Sequence, residues 1–192
     1  MDNNPSSPAA GPPPAARPAE AAKPLEIKRH ARLLVPLLVL CALAALFWPQ
    51  QKGKAAPGGR VEDSGGAIFD LEDRYRTVTL VHFWATWCAP CVDEMPRLQR
   101  FAKELEGRQD FALLMVAVAD DRKKALAFVG GTSGTFFDEG WTVSKSWGSD
   151  MLPETHLVVD GRRVHTFVGA QNWDDAAVRA KVQEALAGAG KT

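Results

Sequence analysis

The chain has 192 residues, of which 46% are apolar and 24% charged, and its 23 basic side chains balance 23 acidic ones. This composition excludes a disordered polymer, a collagen-like fibre and a nucleic-acid binder that relies on bulk positive charge. Three cysteines are too few for a disulfide-stapled scaffold or a four-cysteine zinc site. Residues 1–60 carry net +5 and residues 61–192 net −5, which predicts that the two parts face different surroundings.

The N-terminal segment is rich in Pro and Ala and has no hydrophobic period. Residues 1–24 alone contain seven prolines and seven alanines. Such a segment buries too little apolar surface to offset the entropy lost on ordering it. We therefore predict a disordered tail over residues 1–31.

An uncharged apolar run of 16 residues follows at 33–48 (LLVPLLVLCALAALFW). As a helix it would cover about 24 Å of a hydrocarbon core of roughly 30 Å, which local thinning accommodates. We predict an uncleaved transmembrane signal anchor over 32–48. A cleaved signal peptide with Ala42-Leu43-Ala44 at its cleavage site, a lipid attached at Cys41 and a buried core helix are the alternatives. Four basic residues precede the run and three follow it, which favours a cytoplasmic N-terminus.

The segment after the apolar run has the composition of a tether. Residues 49–60 (PQQKGKAAPGGR) are polar and contain Gly and Pro, which is typical of a flexible linker. From residue 61 the composition becomes that of a globular domain, which we place at 61–188. Residues 189–192 are predicted to form a C-terminal tail.

Hydrophobic periodicity divides the domain into alternating strands and helices. Runs rich in β-branched and aromatic residues predict buried strands, and apolar positions three or four residues apart predict helices. The predicted elements are strands at 79–85 and 111–119, helices at 88–106, 122–129 and 173–187, and a hairpin of 155–159 and 163–168 that turns at Asp160-Gly161. Their order predicts an α/β fold with a central mixed sheet flanked by helices. Residues 130–150 show no hydrophobic period, so we assign no helix or strand to them.

A Cys-X-X-Cys sequence, Cys88-Ala89-Pro90-Cys91, stands between the first predicted strand and the first predicted helix. Unpaired N–H groups and the positive dipole end at a helix N-terminus favour an anion, so the Cys88 thiol should ionise more readily than a free thiol. Pro90 suits the first helical turn, where a missing N–H costs little. The spacing places Cys91 one turn behind Cys88, within reach of a disulfide. Since a thiolate attacks disulfides and a second thiol resolves the mixed disulfide, the motif indicates redox chemistry.

Other uses of a Cys-X-X-Cys pair fit this sequence less well. Half of a zinc site would need a second cysteine pair, whereas the remaining cysteine, Cys41, lies in the apolar run. Haem attachment requires a His directly after the second cysteine, where this chain has Val92. A structural disulfide that closes so short a loop would remove little entropy from the unfolded chain. Redox catalysis is the favoured interpretation.

Two blocks, residues 81–96 (VHFWATWCAPCVDEMP) and 152–161 (LPETHLVVDG), carry a pattern more specific than the cysteine pair alone. They resemble the thioredoxin superfamily, and more closely its TlpA/ResA/CcmG-type membrane-anchored thiol–disulfide oxidoreductases. The anchor followed by a tether matches the same family. The resemblance implies a thioredoxin-like fold and no cofactor beyond a redox-active disulfide, Cys88–Cys91.

The resemblance also implies roles for individual residues. Cys88 is the exposed nucleophile and Cys91 the resolving thiol. Pro153 resembles the cis-proline that faces the cysteine pair in this fold, and an ordinary trans-proline is the alternative. An aromatic at the position of Trp87 shields the active site in the family, with simple packing as the alternative. The expected substrate contacts are Trp87, Ala89, Pro90 and the backbone of Leu152.

Three titratable residues near these blocks raise separate questions. ResA-like and CcmG-like proteins carry an acid at the position of Glu94 that adjusts proton exchange with the thiols, which implies a catalytic role. The plainer alternative is a carboxylate favoured by the helix dipole. His82 stands where thioredoxins carry Asp and TlpA-like relatives often Asn, and it could accept a proton from Cys91. His156 replaces a common aromatic, and we expect both histidines to be packing residues.

The favoured function is reduction of protein disulfides outside the cytoplasm. The family resemblance implies electrons from a membrane thiol transporter of the DsbD/CcdA kind, and a catalytic domain on the periplasmic side of a bacterial inner membrane. Pro153-Glu154-Thr155 resembles the cytochrome c maturation branch, whose substrates carry Cys-X-X-Cys haem-attachment sites. No nucleic-acid partner is expected.

Two alternative functions use the same fold. The pair can run in the oxidising direction, since Ala89-Pro90 fixes neither the reduction potential nor the partner. A copper-handling module would need additional His or Met ligands, and none stands at a suggestive spacing. A peroxidase on a related fold is disfavoured, because Val81 and Ala85 occupy the Pro and Thr positions of its Pro-x-x-x-Thr-x-x-Cys pattern.

Overall fold

The computed structural model describes residues 53–131 and 134–189, together with Pro36 and Leu40. The chain divides into two units, Met1–Pro49 and Gln50–Thr192. The predicted tail at 1–31 lies outside the described residues, as does the predicted anchor at 32–48 apart from Pro36 and Leu40. Within the described part of the chain, no helix combines the length and the apolar character needed to cross a membrane.

The second unit contains alternating strands and helices. The described residues form eight strands, one 3-10 helix and four α-helices. The strands are β1 (Lys54–Ala55), β2 (Arg60–Asp63), β3 (Ile68–Asp70), β4 (Val78–Trp84), β5 (Phe111–Val118), β6 (Thr135–Asp138), β7 (Glu154–Val159) and β8 (Arg162–Val168). The helices are the 3-10 helix (Leu71–Arg74), α1 (Ala89–Glu104), α2 (Arg122–Val129), α3 (Thr142–Ser146) and α4 (Ala176–Ala189).

All eight strands join one mixed sheet in the order β1-β8-β7-β4-β5-β6-β2-β3. The pairs β4–β5 and β5–β6 are parallel, and the remaining neighbours are antiparallel. The mixed sheet flanked by helices confirms the predicted thioredoxin-like α/β fold. Since β4 lies between β5 and β7, the loop that follows β4 stands at the middle of the sheet.

Strand β4 is buried along its whole length and separates two apolar clusters. On one face Leu80 and Trp84 pack with residues of α1 and α4, including Met95 and Val182. On the other face Val81 and Phe83 pack with residues from β2, β5 and α3. Apolar side chains on both faces of this strand are what a strand buried on both faces requires.

Several elements lie where the sequence offered little periodicity. Residues 130–150 contain β6 and α3, and the Asp138 carboxylate organises the connection by accepting hydrogen bonds from Thr142 N and from both N and Oγ of Ser144. Lys54–Ala55, inside the predicted linker at 49–60, pairs with β8, so the ordered sheet begins before residue 61. The last helix begins at Ala176 rather than 173, because Asp175 Oδ1 caps it by accepting from Ala177 N and Val178 N.

Two histidines are fully buried in the central strands. His82 on β4 lies with Nδ1 2.8 Å from Thr155 Oγ1, and its Nε2 has no hydrogen-bond partner among the described residues. His156 on β7 lies with Nε2 2.8 Å from Ser149 Oγ and 3.0 Å from Glu154 Oε1. Burial lowers the pKa of each imidazole to about 3. Both side chains are therefore neutral at physiological pH, which is the state expected of packed core residues.

These low pKa values predict acid sensitivity. Between pH 6.5 and 3 an unfolded imidazole binds a proton that the buried one does not, so unfolding becomes more favourable as pH falls through this range. His82→Asn should therefore weaken the pH dependence of the unfolding free energy there, by up to about 1.4 kcal/mol per pH unit. Urea midpoints of the oxidised protein at a series of pH values measure this.

His165→Asn is the matched control, because His165 lies exposed on β8. The control should alter the pH dependence much less than His82→Asn does. Equal slopes for His82→Asn and the parent protein would contradict a neutral, buried His82.

Candidate active site

The cysteine pair lies where the central strand β4 passes into α1. Cys88 is the N-cap of this helix, with extended backbone, and Cys91 N–H donates to Cys88 Sγ at 3.3 Å. A side chain that accepts from the third helical residue is the usual N-cap arrangement. The Cys88 sulfur is thus held against the unpaired N–H groups of the helix, where a negative charge is stabilised.

The two cysteines form a disulfide in this structure, with S–S 2.08 Å and Cα–Cα 5.3 Å. Cys88 is less exposed than predicted, since only 7% of its surface is accessible. Cys91 is completely buried. Ala89 and Pro90 between them are exposed. Among the described residues, no group of three or more His, Cys, Asp or Glu side chains is placed to hold a metal ion. The redox group that the site displays is the disulfide.

The loop before Cys88 is fastened to the loop after β5. Thr86 donates to the Asp120 carboxylate twice, from its backbone N at 2.5 Å and from Oγ1 at 2.7 Å. Trp87 Nε1 donates to the carbonyl of Ala119 at 3.0 Å. Sequence reasoning missed Asp120, although its position directly after the parallel neighbour of β4 offered a signal, since parallel strands end at the same edge of a sheet.

Trp87, the residue before Cys88, belongs to an aromatic pair. Trp87 is 56% exposed, and its ring centroid lies 6.1 Å from that of Trp141. Trp141 and Ala119, which both contact Trp87, have positive φ values of 58° and 46°, a strained conformation for residues other than glycine. The exposure of Trp87 distinguishes it from a core-packing residue.

The segment before β7, Leu152 and Pro153, forms a second wall of the site, in addition to the loop that carries Trp87. The Leu152–Pro153 peptide bond is cis, in agreement with the predicted cis-proline. Pro153 is buried and its carbonyl accepts from Gly169 N at 3.0 Å. Leu152 is partly buried against the apolar cluster that contains both cysteines. The structure therefore brings residues from the two predicted motif blocks to one site.

A buried polar network supports this wall. Ser149 Oγ lies 2.8 Å from Glu154 Oε1 and 2.8 Å from His156 Nε2, and His156 Nδ1 lies 3.1 Å from Thr166 Oγ1. Burial raises the pKa of Glu154, and the hydrogen bond from Ser149 opposes the rise. Sequence reasoning treated His156 as packing alone and did not find its partner Ser149.

Glu94 is the buried carboxyl of the site. It follows Cys91 by one turn on α1, and both side chains belong to the buried face of that helix. Burial raises the pKa of Glu94 to about 7, against the opposing effects of hydrogen bonds from Trp173 and the Gln171 backbone and of the Arg97 charge. A carboxyl with this pKa exchanges a proton near neutral pH, unlike a solvated carboxylate in a first helical turn.

Trp173 is a site residue that sequence reasoning did not identify. Its Nε1 donates a hydrogen bond to Glu94 Oε1, and both side chains have no exposed surface. The second carboxyl oxygen, Oε2, is buried and has no hydrogen-bond partner among the described residues. The two residues are 79 positions apart in the chain, so no local pattern could reveal their contact.

Known proteins are similar to this chain in sequence. The Redoxin family profile matches residues 51–185. The thiol:disulfide interchange protein HelX of Rhodobacter capsulatus is 30% identical over 171 residues, which cover 81% of this chain and 96% of HelX. The thiol-disulfide oxidoreductase ResA of Bacillus thuringiensis is 29% identical over 126 residues, which cover 63% of this chain and 72% of ResA.

The fold has solved counterparts as well. A thioredoxin-family thiol:disulfide interchange protein from Chlorobium tepidum matches with a TM-score of 0.58 at 20% identity, over 71% of this chain and 99% of its own. A DsbF homologue from Corynebacterium diphtheriae matches with a TM-score of 0.57 at 20% identity, over 72% of this chain and 90% of its own. The chain therefore belongs to the Redoxin family and is a thiol–disulfide oxidoreductase of the ResA/CcmG type, with a thioredoxin-like fold.

Proposed function

We propose that this oxidoreductase is a membrane-tethered reductase of protein disulfides. The observation that carries the proposal is the asymmetry of the cysteine pair. Cys88 caps α1 and retains the accessible surface, whereas Cys91 lies fully buried behind it. A nucleophile that meets the substrate and a hidden thiol that ends the exchange need this division.

In the proposed reaction, Cys88 thiolate attacks one sulfur of a substrate disulfide. The substrate S–S bond breaks, a mixed disulfide forms, and the other substrate sulfur leaves as a thiolate. Cys91 then loses its proton and attacks Cys88 Sγ, which releases the second substrate sulfur and forms the Cys88–Cys91 disulfide seen in the structure. Two electrons pass from the pair to the substrate, and the two thiol protons end on the reduced substrate.

Glu94 is proposed as the proton acceptor for Cys91. Its position one turn along the same buried helix face and its pKa of about 7 support this role. A base whose pKa lies near the working pH transfers protons in both directions with little driving force lost. The proton that Cys91 gives up passes to Glu94 and from there to the departing substrate thiolate.

The surface around Cys88 is proposed to bind the substrate chain. Trp87, Ala89 and Pro90 are exposed beside the sulfur, and Leu152 precedes the cis-proline Pro153 on the second wall. Exposed groups on both sides of Cys88 support a segment of substrate lying across it. We assign Pro153 to holding this wall in place.

The tethering and the electron donor are proposed from the sequence. The apolar run at 33–48, its basic flank and the polar segment after it support a single-pass anchor in a bacterial inner membrane with the domain in the periplasm. The oxidised pair then regains two electrons from a membrane dithiol donor of the DsbD/CcdA kind. A tether raises the local concentration of the domain near such a donor.

Cytochrome c maturation is the proposed setting of the reaction. Pro153-Glu154-Thr155 supports it, because these residues resemble that branch of the family. The proposed client is the Cys-X-X-Cys haem-attachment site of an unfolded cytochrome, which must be reduced before haem is joined to it. The cysteine pair itself carries the electrons, and we propose no other cofactor.

A trapping experiment tests the assignment of Cys88 as the nucleophile and identifies its clients. In a Cys91→Ser variant the second step is blocked, so client proteins should remain joined to Cys88 as mixed disulfides. The variant should carry Cys41→Ser as well, and non-reducing gels followed by mass spectrometry identify the adducts.

Cys88→Ser in the same background is the matched control and should trap nothing. Proteins with a Cys-X-X-Cys haem-attachment site among the adducts support the maturation role. Equal adducts from both variants, or none from Cys91→Ser, would overturn the assignment of Cys88 as the nucleophile.

The pH dependence of exchange tests Glu94. The parent rate should rise as pH increases through about 7, since the carboxyl then becomes a proton acceptor. Glu94→Gln should remove this inflection and slow exchange at pH 7 by about 100-fold, a typical contribution of a general base. Stopped-flow kinetics with a peptide disulfide measure both effects.

Asp93→Asn provides the control, because Asp93 is the exposed neighbour of Glu94 on α1. It should leave the inflection in place. A Glu94→Gln profile that matches the parent profile would remove Glu94 from the mechanism.

A further inference from the structure

The contact between Trp173 and Glu94 joins two segments that no motif connects. Trp173 lies in the loop between β8 and α4, and Glu94 lies on α1. Trp173 Nε1–H donates to Glu94 Oε1 in an environment without exposed surface. It is the one side chain among the described residues that donates a hydrogen bond to this carboxyl.

The indole ring has little freedom to turn away. It stacks on Phe101 of α1 with centroids 5.6 Å apart and planes at 21°, and it packs on Phe167 of β8 at 5.2 Å. The loop itself is held by Asn172, whose Oδ1 accepts from Asp174 N and whose carbonyl accepts from Asp175 N. The direction of the N–H is therefore set by packing rather than by the hydrogen bond alone.

The charged groups near this pair mostly have other partners. Arg100 of α1 pairs with Asp174 at 3.0 Å, and Arg179 of α4 pairs with Glu104 and lies 4.9 Å from the Phe101 ring. His165 of β8 contacts Phe167, and the neutral His82 of β4 lies against Thr155.

Arg97 of α1 is the cation that acts on Glu94 through its charge. It makes no side-chain hydrogen bond to the carboxyl among those the structure shows.

We propose that Trp173 is a positioning residue for Glu94, holding Oε1 so that Oε2 is the oxygen that exchanges a proton with the cysteine pair. This rests on the proposed role of Glu94 in the exchange reaction. The two carboxyl oxygens are not equivalent here, because the indole occupies Oε1, whereas no side chain among the described residues donates to Oε2. The Gln171 backbone is the other hydrogen-bonding group that acts on this carboxyl. An N–H donor also stabilises the carboxylate over the neutral acid, so it keeps the carboxyl able to accept a proton near pH 7.

Trp173→Phe tests the proposal, since Phe keeps an aromatic ring in the stack and removes the N–H. The Glu94-dependent inflection in the exchange rate should move upward by about one pH unit, as expected for the loss of a hydrogen bond to a charged group. The shift should disappear when Trp173→Phe is combined with Glu94→Gln.

Trp147→Phe is the matched control. Trp147 is also buried, but its Nε1 has no hydrogen-bond partner among the described residues, and it packs in the cluster on the other face of the sheet. This variant should leave the inflection where it is. An unmoved inflection in Trp173→Phe, or an equal shift in Trp147→Phe, would overturn the proposal.

A second measurement does not depend on the folding of Trp173→Phe. In the parent protein the Trp173 indole ¹H–¹⁵N resonance should move with pH around 7 and should stop moving in Glu94→Gln. A Trp173 resonance that does not titrate in the parent would overturn the proposal. If the resonance titrates but Glu94→Gln leaves the exchange profile unchanged, the hydrogen bond stands and the catalytic role of Glu94 fails.

Discussion

The interaction on which the site depends is that between the Cys88 sulfur and the N-terminus of α1. Two effects on the thiol oppose each other. Burial, which leaves Cys88 7% exposed, disfavours a thiolate, whereas the N–H groups and dipole of the helix favour it. A helix terminus contributes up to about 2 kcal/mol in a partly buried geometry. The loop that carries Cys88 must therefore be held accurately, which the Thr86–Asp120 hydrogen bonds accomplish.

Proton supply is a separate constraint on the same helix. Glu94 on α1 and His82 on β4 are two buried titratable groups. The imidazole keeps a pKa of about 3 and does not change charge near neutral pH, while the carboxyl has a pKa of about 7. Desolvation causes both shifts, because it disfavours the charged form of each group. It therefore lowers the pKa of the imidazole and raises the pKa of the carboxyl. Of these two groups, the carboxyl is the one whose charge changes near neutral pH.

Local sequence signals predicted the central part of the fold well. The strands β4 and β5, the helix α2 and the hairpin at Asp160-Gly161 all lie within a few residues of their predicted positions, because each has a strong period or turn signal. The elements β1, β2, β3, β6 and α3 are too short to show a hydrophobic period. The motifs identified the Cys88–Cys91 pair and the cis-proline Pro153, which the structure shows as a disulfide and a cis peptide bond. Trp173 could not be predicted, since it meets Glu94 only through tertiary packing, whereas the position of Asp120 two residues after β5 offered a signal that was missed.

The groups around Cys88 follow three neighbouring parallel strands. The disulfide comes after β4, Ala119 and Asp120 come after β5, and Trp141 comes after β6. The disulfide thus lies at one helix terminus, whereas the residues that contact the preceding Thr86 and Trp87 belong to loops that follow other strands. Loops tolerate sequence change far better than the elements they join. Substitutions in the β6–α3 connection can consequently change the surroundings of Trp87 while the cysteine pair at the start of α1 stays unaltered.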